Sequence, residues 1–301
     1  MRASTLFAAA VLLAAPAFAG GPPPSPAPAP APKGHLVLIG GGIEREDILR
    51  KFVELAGGKD APIVVIPTAS EDPESPSFYL NLFLKIGCTN ASLLDIKTRA
   101  DAQRSDFAAK AAAARGVFFG GGDQVRLTDA ILGTPVGDAV AKAYDEGAVV
   151  GGTSAGTACQ SGPMITGEGD FAVVRAGAVE MKRGFGFFRG VIVDQHFVVR
   201  QRFNRLLSVV IENKDLLGVG VDEDTAVWVR PDGTFQVLGG RSVLVIDARD
   251  AEVERAAASE GKDLLGARGL RLHVLLPGDQ YDVARRAAIP ADRRRDPRQA
   301  N

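Results

Sequence analysis

The 301-residue chain is 46% hydrophobic, with 35 basic against 36 acidic side chains, two cysteines and three histidines. That length supports one large domain or two modest ones, with enough apolar content to bury a sizeable core. A formal charge of −1 argues against a general nucleic-acid binder, and so few cysteines and histidines offer no ligand cluster for a metal.

Residues 1–19, MRASTLFAAAVLLAAPAFA, combine one arginine, a short apolar run and a small-x-small end at Ala17-Phe18-Ala19. This is the pattern of a cleaved export leader, too short and too alanine-rich for a membrane span, and it predicts a periplasmic or extracellular protein. No cysteine follows the expected cut, so a lipid anchor is unsupported. Residues 20–33 read as an extended Pro/Ala linker with nothing to pack into a core. A folded domain is expected over 34–283, followed by a basic, disordered tail over 284–301.

Within the domain, HLVLIGGG (35–42) predicts a strand ending in glycines, followed by a helix in IEREDILRKFVELAGG. APIVVIPTAS (61–70) and ASLLDI are further strands, with helical periodicity in SFYLNLFLKIG between them. RADAQRSDFAAKAAAA is a helix; GVFFGGG and GAVVGG are strands that run out into glycine loops and helix starts. Strands of this kind indicate a mainly parallel sheet covered on both faces, a three-layer α/β/α sandwich whose ligands sit beyond the strands' carboxyl ends. Further on, GVIVDQHF is a strand that leaves Asp194, Gln195 and His196 at its end. RQRFNRLLSVVIEN is helical, LLGVGVDEDTAVWVR is a strand broken at its acids, TFQVLGGRSVLVIDA resembles a hairpin, and LRLHVLLPGDQYDV is the last strand.

GGTSAG places Ser154 on a tight strand-to-helix corner, with Gly152 and Gly156 removing bulk on each side. Such a corner pushes a hydroxyl out beyond the sheet edge, although an ordinary Gly/Ser turn has the same letters. A base must then come from three histidines. His35 reads as an edge residue and His273 as a half-buried strand residue, which leaves His196 at the correct edge. One of Asp222, Glu223 and Asp224 has to orient it. Oxyanion donors are expected from the glycine backbone at 120–122, Gly122 in particular, and from the Ala155 amide. Export permits a disulfide, but Cys159 lies just past the corner serine on a helix, and two separate buried thiols at Cys88 and Cys159 are expected.

Four stretches together, FFGGGDQVRLTD, GGTSAGTACQSG, DQHFVVRQRFNRLL and GVGVDEDTAV, resemble the cyanophycinases, serine peptidases related to aspartyl dipeptidase E. The resemblance spans nearly all of 34–283, and HVLLPGDQYDV fits the family's final strand. It implies a class I glutamine-amidotransferase-like (flavodoxin-like) fold and a Ser154, His196, Glu223 triad. It also implies substrate contacts at Gln124, Asp194, Gln195, Arg200, Arg202 and Arg205, with no cofactor. The implied partner is an arginyl-poly-aspartate polymer, cleaved to β-aspartyl-arginine dipeptides through an acyl-enzyme. A carboxylate and a guanidinium in each repeat suit a site of both signs, with arginines pairing the carboxylate and Asp194 the cation. Two departures from the family pattern, Thr157 where alanine is common and Gly120 where a polar residue is frequent, are expected near the acyl pocket. Three other readings remain open: a peptidase for other aspartyl or isoaspartyl peptides, an α/β-hydrolase-type esterase using His273, and a non-catalytic polymer binder. A homodimer is also left open.

Overall fold

The computed structural model describes residues 31–43, 45–169, 172–258 and 261–292. The leader expected at 1–19, most of the Pro/Ala linker and the tail from 293 onward lie outside the described residues.

Five strands, β1 (Leu36–Ile39), β2 (Ile63–Ile66), β3 (Ala91–Leu93), β4 (Gly116–Phe119) and β5 (Val149–Thr153), run parallel in the order β3-β2-β4-β5-β1. The helices between them are α1 (Glu46–Ala56), α2 (Ser75–Lys85), α3 (Ser105–Ala113), α4 (Gln124–Ile131) and α5 (Pro135–Glu146). Local chemistry sets several of the helix ends. The Asp123 carboxylate accepts the Val125 and Arg126 amides at the start of α4, and the Thr134 hydroxyl accepts the Gly137 amide at the start of α5.

Strand alternation divides the core into two faces. Val37, Ile39, Ile63, Val65 and Phe118 meet α1 and α2 on one side. Leu36, Leu38, Val64, Ile66, Val117 and Phe119 meet α3, α4 and α5 on the other.

The chain then forms α6 (Ala155–Ala158), β6 (Pro163–Gly169), β7 (Val179–Arg183), β8 (Val191–Gln195), α7 (Phe203–Glu212), β9 (Leu217–Val221) and β10 (Thr225–Val229). It ends with β11 (Thr234–Gly239), β12 (Val243–Asp247), β13 (Glu252–Ala256), β14 (Leu264–Arg268), β15 (Arg271–Leu275), β16 (Gln280–Asp282) and β17 (Ala287–Ile289). Strands β10, β11, β16 and β17 extend the first sheet beyond β1, each antiparallel to its neighbour, to nine strands. A separate four-stranded sheet has the order β15-β12-β9-β8.

The three-layer expectation therefore holds for the parallel half and changes beyond it. Val193, Val219, Val221 and Val245 of the second sheet share one core with Leu38, Val227 and Phe235 of the first. The outer face of the second sheet carries α7 through Ile192, Leu206, Val210 and Ile246. A sheet thus takes the place of a helical layer here: Leu217, Val219 and Val221 of β9 face the shared core, while Gly218 and Gly220 on its other face leave room for Leu206, Val210 and Phe197.

Two sequence expectations are corrected. TFQVLGGRSVLVIDA is not a hairpin, since β11 pairs with β10 and β16 in one sheet while β12 pairs with β9 and β15 in the other. The glycines at 239 and 240 carry the chain across. The tail expected from 284 begins as ordered structure: β17 pairs with β16, and Arg286 is buried, donating to the Asp247 carboxylate and the Asp215 carbonyl. Both cysteines are free and buried. Among the described residues no helix is long and apolar enough to cross a membrane.

Candidate active site

Strand β5 ends at Thr153, and Ser154 turns the chain directly into α6 with φ 54° and ψ −113°. A side chain rarely adopts positive φ, so the surrounding structure has to hold this residue in place. The Ser154 amide donates to the Ile39 carbonyl at 3.0 Å, and its own carbonyl accepts the Thr157 and Ala158 amides. Close packing explains the two glycines. A Cβ on Gly152 would lie 2.5 Å from the Gly156 carbonyl carbon, and one on Gly156 would lie 2.8 Å from the Phe119 carbonyl carbon. Any side chain at either position drives backbone into backbone.

His196 follows β8 and is 8% exposed, also at positive φ. Its Nε2 lies 2.8 Å from Ser154 Oγ, and its Nδ1 lies 2.6 Å from Glu223 Oε1. Glu223 sits in the turn between β9 and β10, where the chain passes from one sheet to the other. Three groups separated along the chain thus form one hydrogen-bonded line.

Burial is the largest influence on the imidazole and pushes its pKa below the ordinary value; the Glu223 hydrogen bond opposes this, and the charges of Arg200 and Arg202 add to the lowering. The Glu223 carboxyl is held below its usual range chiefly by its bond to His196. At neutral pH the ring is therefore an uncharged acceptor and the carboxylate is ionised.

The glycine loop after β4 has one uncommitted amide. Gly120 N–H donates to the Ile66 carbonyl at 3.0 Å, Gly121 N–H to the Tyr79 hydroxyl at 2.8 Å, and Asp123 N–H to the Ala69 carbonyl at 2.8 Å. That leaves the Gly122 N–H, together with that of Ala155 at the start of α6, beside the serine.

A cleft of about 400 Å³ opens at Ser154. Of the residues for which the resemblance implies substrate contact, Gln124, Gln195, Arg200, Arg202 and Arg205 line it, but their states differ. Arg200 is exposed and Arg202 is half-buried, its pKa lowered to about 10 by burial and by neighbouring Arg205. Gln124 donates from Nε2 to the Ile165 and Thr166 carbonyls at 2.8 and 2.7 Å, which ties the β6–β7 hairpin to the cleft.

Asp194 does not line the cleft. It is 0% exposed and paired with Arg205, whose Nε donates to Oδ2 at 2.7 Å. A carboxylate sealed by its own arginine is not available to a substrate cation, so that expectation is withdrawn.

Thr157 is also corrected. Its hydroxyl stands 2.7 Å from the Ile39 carbonyl and 2.8 Å from that of Gly152, inside the core and away from any acyl pocket. His273 does not approach the serine line; its ring meets Tyr281 edge-on at 5.5 Å, which removes the esterase wiring. Sequence reading missed the β6–β7 hairpin, which contributes Glu168, Glu180 and Lys182 to the cleft. PMITGEG has no alternation of polar and apolar residues, and its two glycines read as a loop, so the local pattern carried no usable signal. Among the described residues, no cluster of His, Cys, Asp or Glu could hold a metal.

A hydroxyl on a strained strand-to-helix corner, an imidazole bonded to it, a carboxylate behind the imidazole and unpaired amides nearby together define a serine hydrolase on a mixed α/β fold. The model of Peptidase family S51 matches residues 36–237, and the chain belongs to this family of serine-type peptidases. A cyanophycinase from Synechococcus elongatus is 38% identical over 83% of this chain and 80% of its own length. Another, from Trichormus variabilis, is 37% identical over 85% of this chain and 88% of its own. The crystal structure of a peptidase from an acI-B1 Actinobacterium shares the fold, with a TM-score of 0.61 and 24% identity, covering 84% of this chain and 98% of that one.

Proposed function

We propose that this protein hydrolyses arginyl-poly-aspartate, releasing β-aspartyl-arginine dipeptides, with Ser154 as nucleophile, His196 as base and Glu223 as its orienting carboxylate. The observation that carries the reading is the unbroken line from Ser154 Oγ to His196 Nε2 at 2.8 Å and from Nδ1 to Glu223 at 2.6 Å. Nε2 accepts the hydroxyl proton as Oγ attacks the carbonyl carbon of an aspartyl unit, and Glu223 stabilises the imidazolium that results. The Gly122 and Ala155 amides donate to the carbonyl oxygen as it gains charge. His196 returns its proton to the leaving amine, the amide bond breaks, and an ester to Ser154 remains. Water, deprotonated by His196, then opens that ester and restores the hydroxyl.

The substrate class is supported by the names of the relatives and by the cleft, which has cationic Arg200 and Arg202 together with acidic Glu168 and Glu180. The parallel half of the sheet with its serine corner supports reading the fold as the class I glutamine-amidotransferase type. The reading includes export directed by residues 1–19, which the N-terminal sequence of the mature protein checks.

Incubation with arginyl-poly-aspartate beside Asp-X and β-Asp-X dipeptides, with products read by mass, tests the proposal. Release of β-aspartyl-arginine by the wild type and none by folded Ser154→Ala is expected. Turnover of the dipeptides alone redirects the substrate, and polymer hydrolysis by Ser154→Ala overturns the mechanism.

A further inference from the structure

The loop that follows β1, Gly40-Gly41-Gly42, lies against the imidazole and against the turn that carries Glu223. The Gly40 carbonyl accepts the His196 backbone amide at 2.6 Å, and the Gly41 carbonyl accepts the Asp224 amide at 2.8 Å. Gly40 N–H in turn donates to the Thr225 carbonyl at 3.0 Å. Two residues of one loop therefore tie together the backbones that bear the imidazole and the carboxylate, although these arrive from different strands. Contact with the ring is closer still. A Cβ on Gly41 would lie 2.5 Å from His196 Nδ1 and 2.7 Å from Nε2, and Gly41 has φ +125°.

A ring bonded at both nitrogens can still tilt through small changes in χ1 and χ2. Tilting carries the lone pair on Nε2 out of line with the serine hydroxyl, and proton transfer weakens steeply as such bonds bend. The backbone at Gly41 stands on the Cε1 side and blocks that movement, and only a residue without a side chain lets the ring approach this closely.

We propose that Gly41 is a positioning residue for His196, and that the Gly40–Gly41 loop sets the geometry of the His196–Glu223 pair. The inference rests on reading His196 as the base, but the contact itself is measurable without catalysis.

Two measurements test it. In the first, Gly41→Ala lowers kcat by about 10²-fold with KM changed less than about twofold, the penalty of a displaced catalytic group. Gly58→Ala is the control: Gly58 has φ +104° with nothing within 4 Å of an added Cβ, so it imposes backbone strain without a ring contact. Its kcat should equal that of the wild type. An unchanged kcat for Gly41→Ala, or an effect on KM alone, overturns the proposal.

In the second, the loss of Tm caused by Gly41→Ala is compared in wild-type and His196→Ala backgrounds. Removing the ring removes the collision, so the loss should fall by half or more. An equal loss in both backgrounds, including failure to fold in both, overturns the proposal. Loss of the base assignment, shown by polymer turnover in His196→Ala, leaves this second measurement decisive for the contact.

Discussion

Asp194 and Arg205 face one another inside the protein, the carboxylate 0% and the guanidinium side chain 2% exposed, one residue before the strand gives way to His196. The same carboxylate accepts the Gln195 amide at 2.8 Å, so a buried ion pair holds the segment that presents the imidazole. Removing one partner strands the other charge in a low-dielectric interior, which typically costs about 3–5 kcal/mol. Arg205→Ala is therefore expected to lose stability of that order in urea denaturation. Exposed Arg200→Ala should leave the midpoint unchanged and raise KM about tenfold or more, the effect of one lost charge-assisted hydrogen bond. Equal stability of the two variants would show that Arg205 serves substrate and not structure.

The pH dependence follows from the environment of His196. Its folded pKa is lowered, so the uncharged, proton-accepting ring persists as pH falls below the free-imidazole value of about 6.5, and activity is lost only at more acid pH. Because Glu223 raises that pKa, Glu223→Gln should shift the acid limb of kcat/KM to still lower pH while reducing kcat by about 10²–10⁴-fold. Arg200 lowers it, so Arg200→Ala should move the limb upward. Shifts of opposite sign in pH–rate profiles would contradict this assignment.

Thr157 gives a prediction about stability alone. Its hydroxyl contacts two buried carbonyls, on β1 and β5, beneath the serine corner. Thr157→Val keeps the shape and removes the donor, and a loss of about 1–3 kcal/mol is expected with KM unchanged. A raised KM with full stability would return the residue to the acyl pocket.

Gln124 couples the cleft to its hairpin. Both bonds from its amide end on β6 carbonyls, so Gln124→Ala should release the β6–β7 hairpin without unfolding the domain. Limited proteolysis should then cut between residues 163 and 183 faster than in the wild type, and KM should rise. Unchanged cleavage would mean that the hairpin is held by its other contacts.

Much of this site was legible in the chain itself. The Gly152-Thr153-Ser154-Ala155-Gly156 stretch specified a tight corner because backbone packs against backbone there, a local demand that only glycine meets. Scarcity of histidine and the apolar run before His196 pointed to the imidazole that meets Ser154, and the run of acids at 222–224 bounded the choice of carboxylate beside it. Strand alternation in the first half was equally readable, since it depends on neighbours within a few residues.

What sequence could not show was how polar side chains divide between solvent, substrate and one another. Asp194 and Arg202 look alike as charges near a strand end, yet one is sealed by Arg205 eleven residues on and the other reaches the cleft. The second sheet, the crossing at Gly239-Gly240, and the approach of Gly41 to His196 all depend on pairing between segments far apart in the chain. Local residue pattern determines which groups can do the chemistry. Burial and long-range packing, which no local pattern encodes, decide which of them meet.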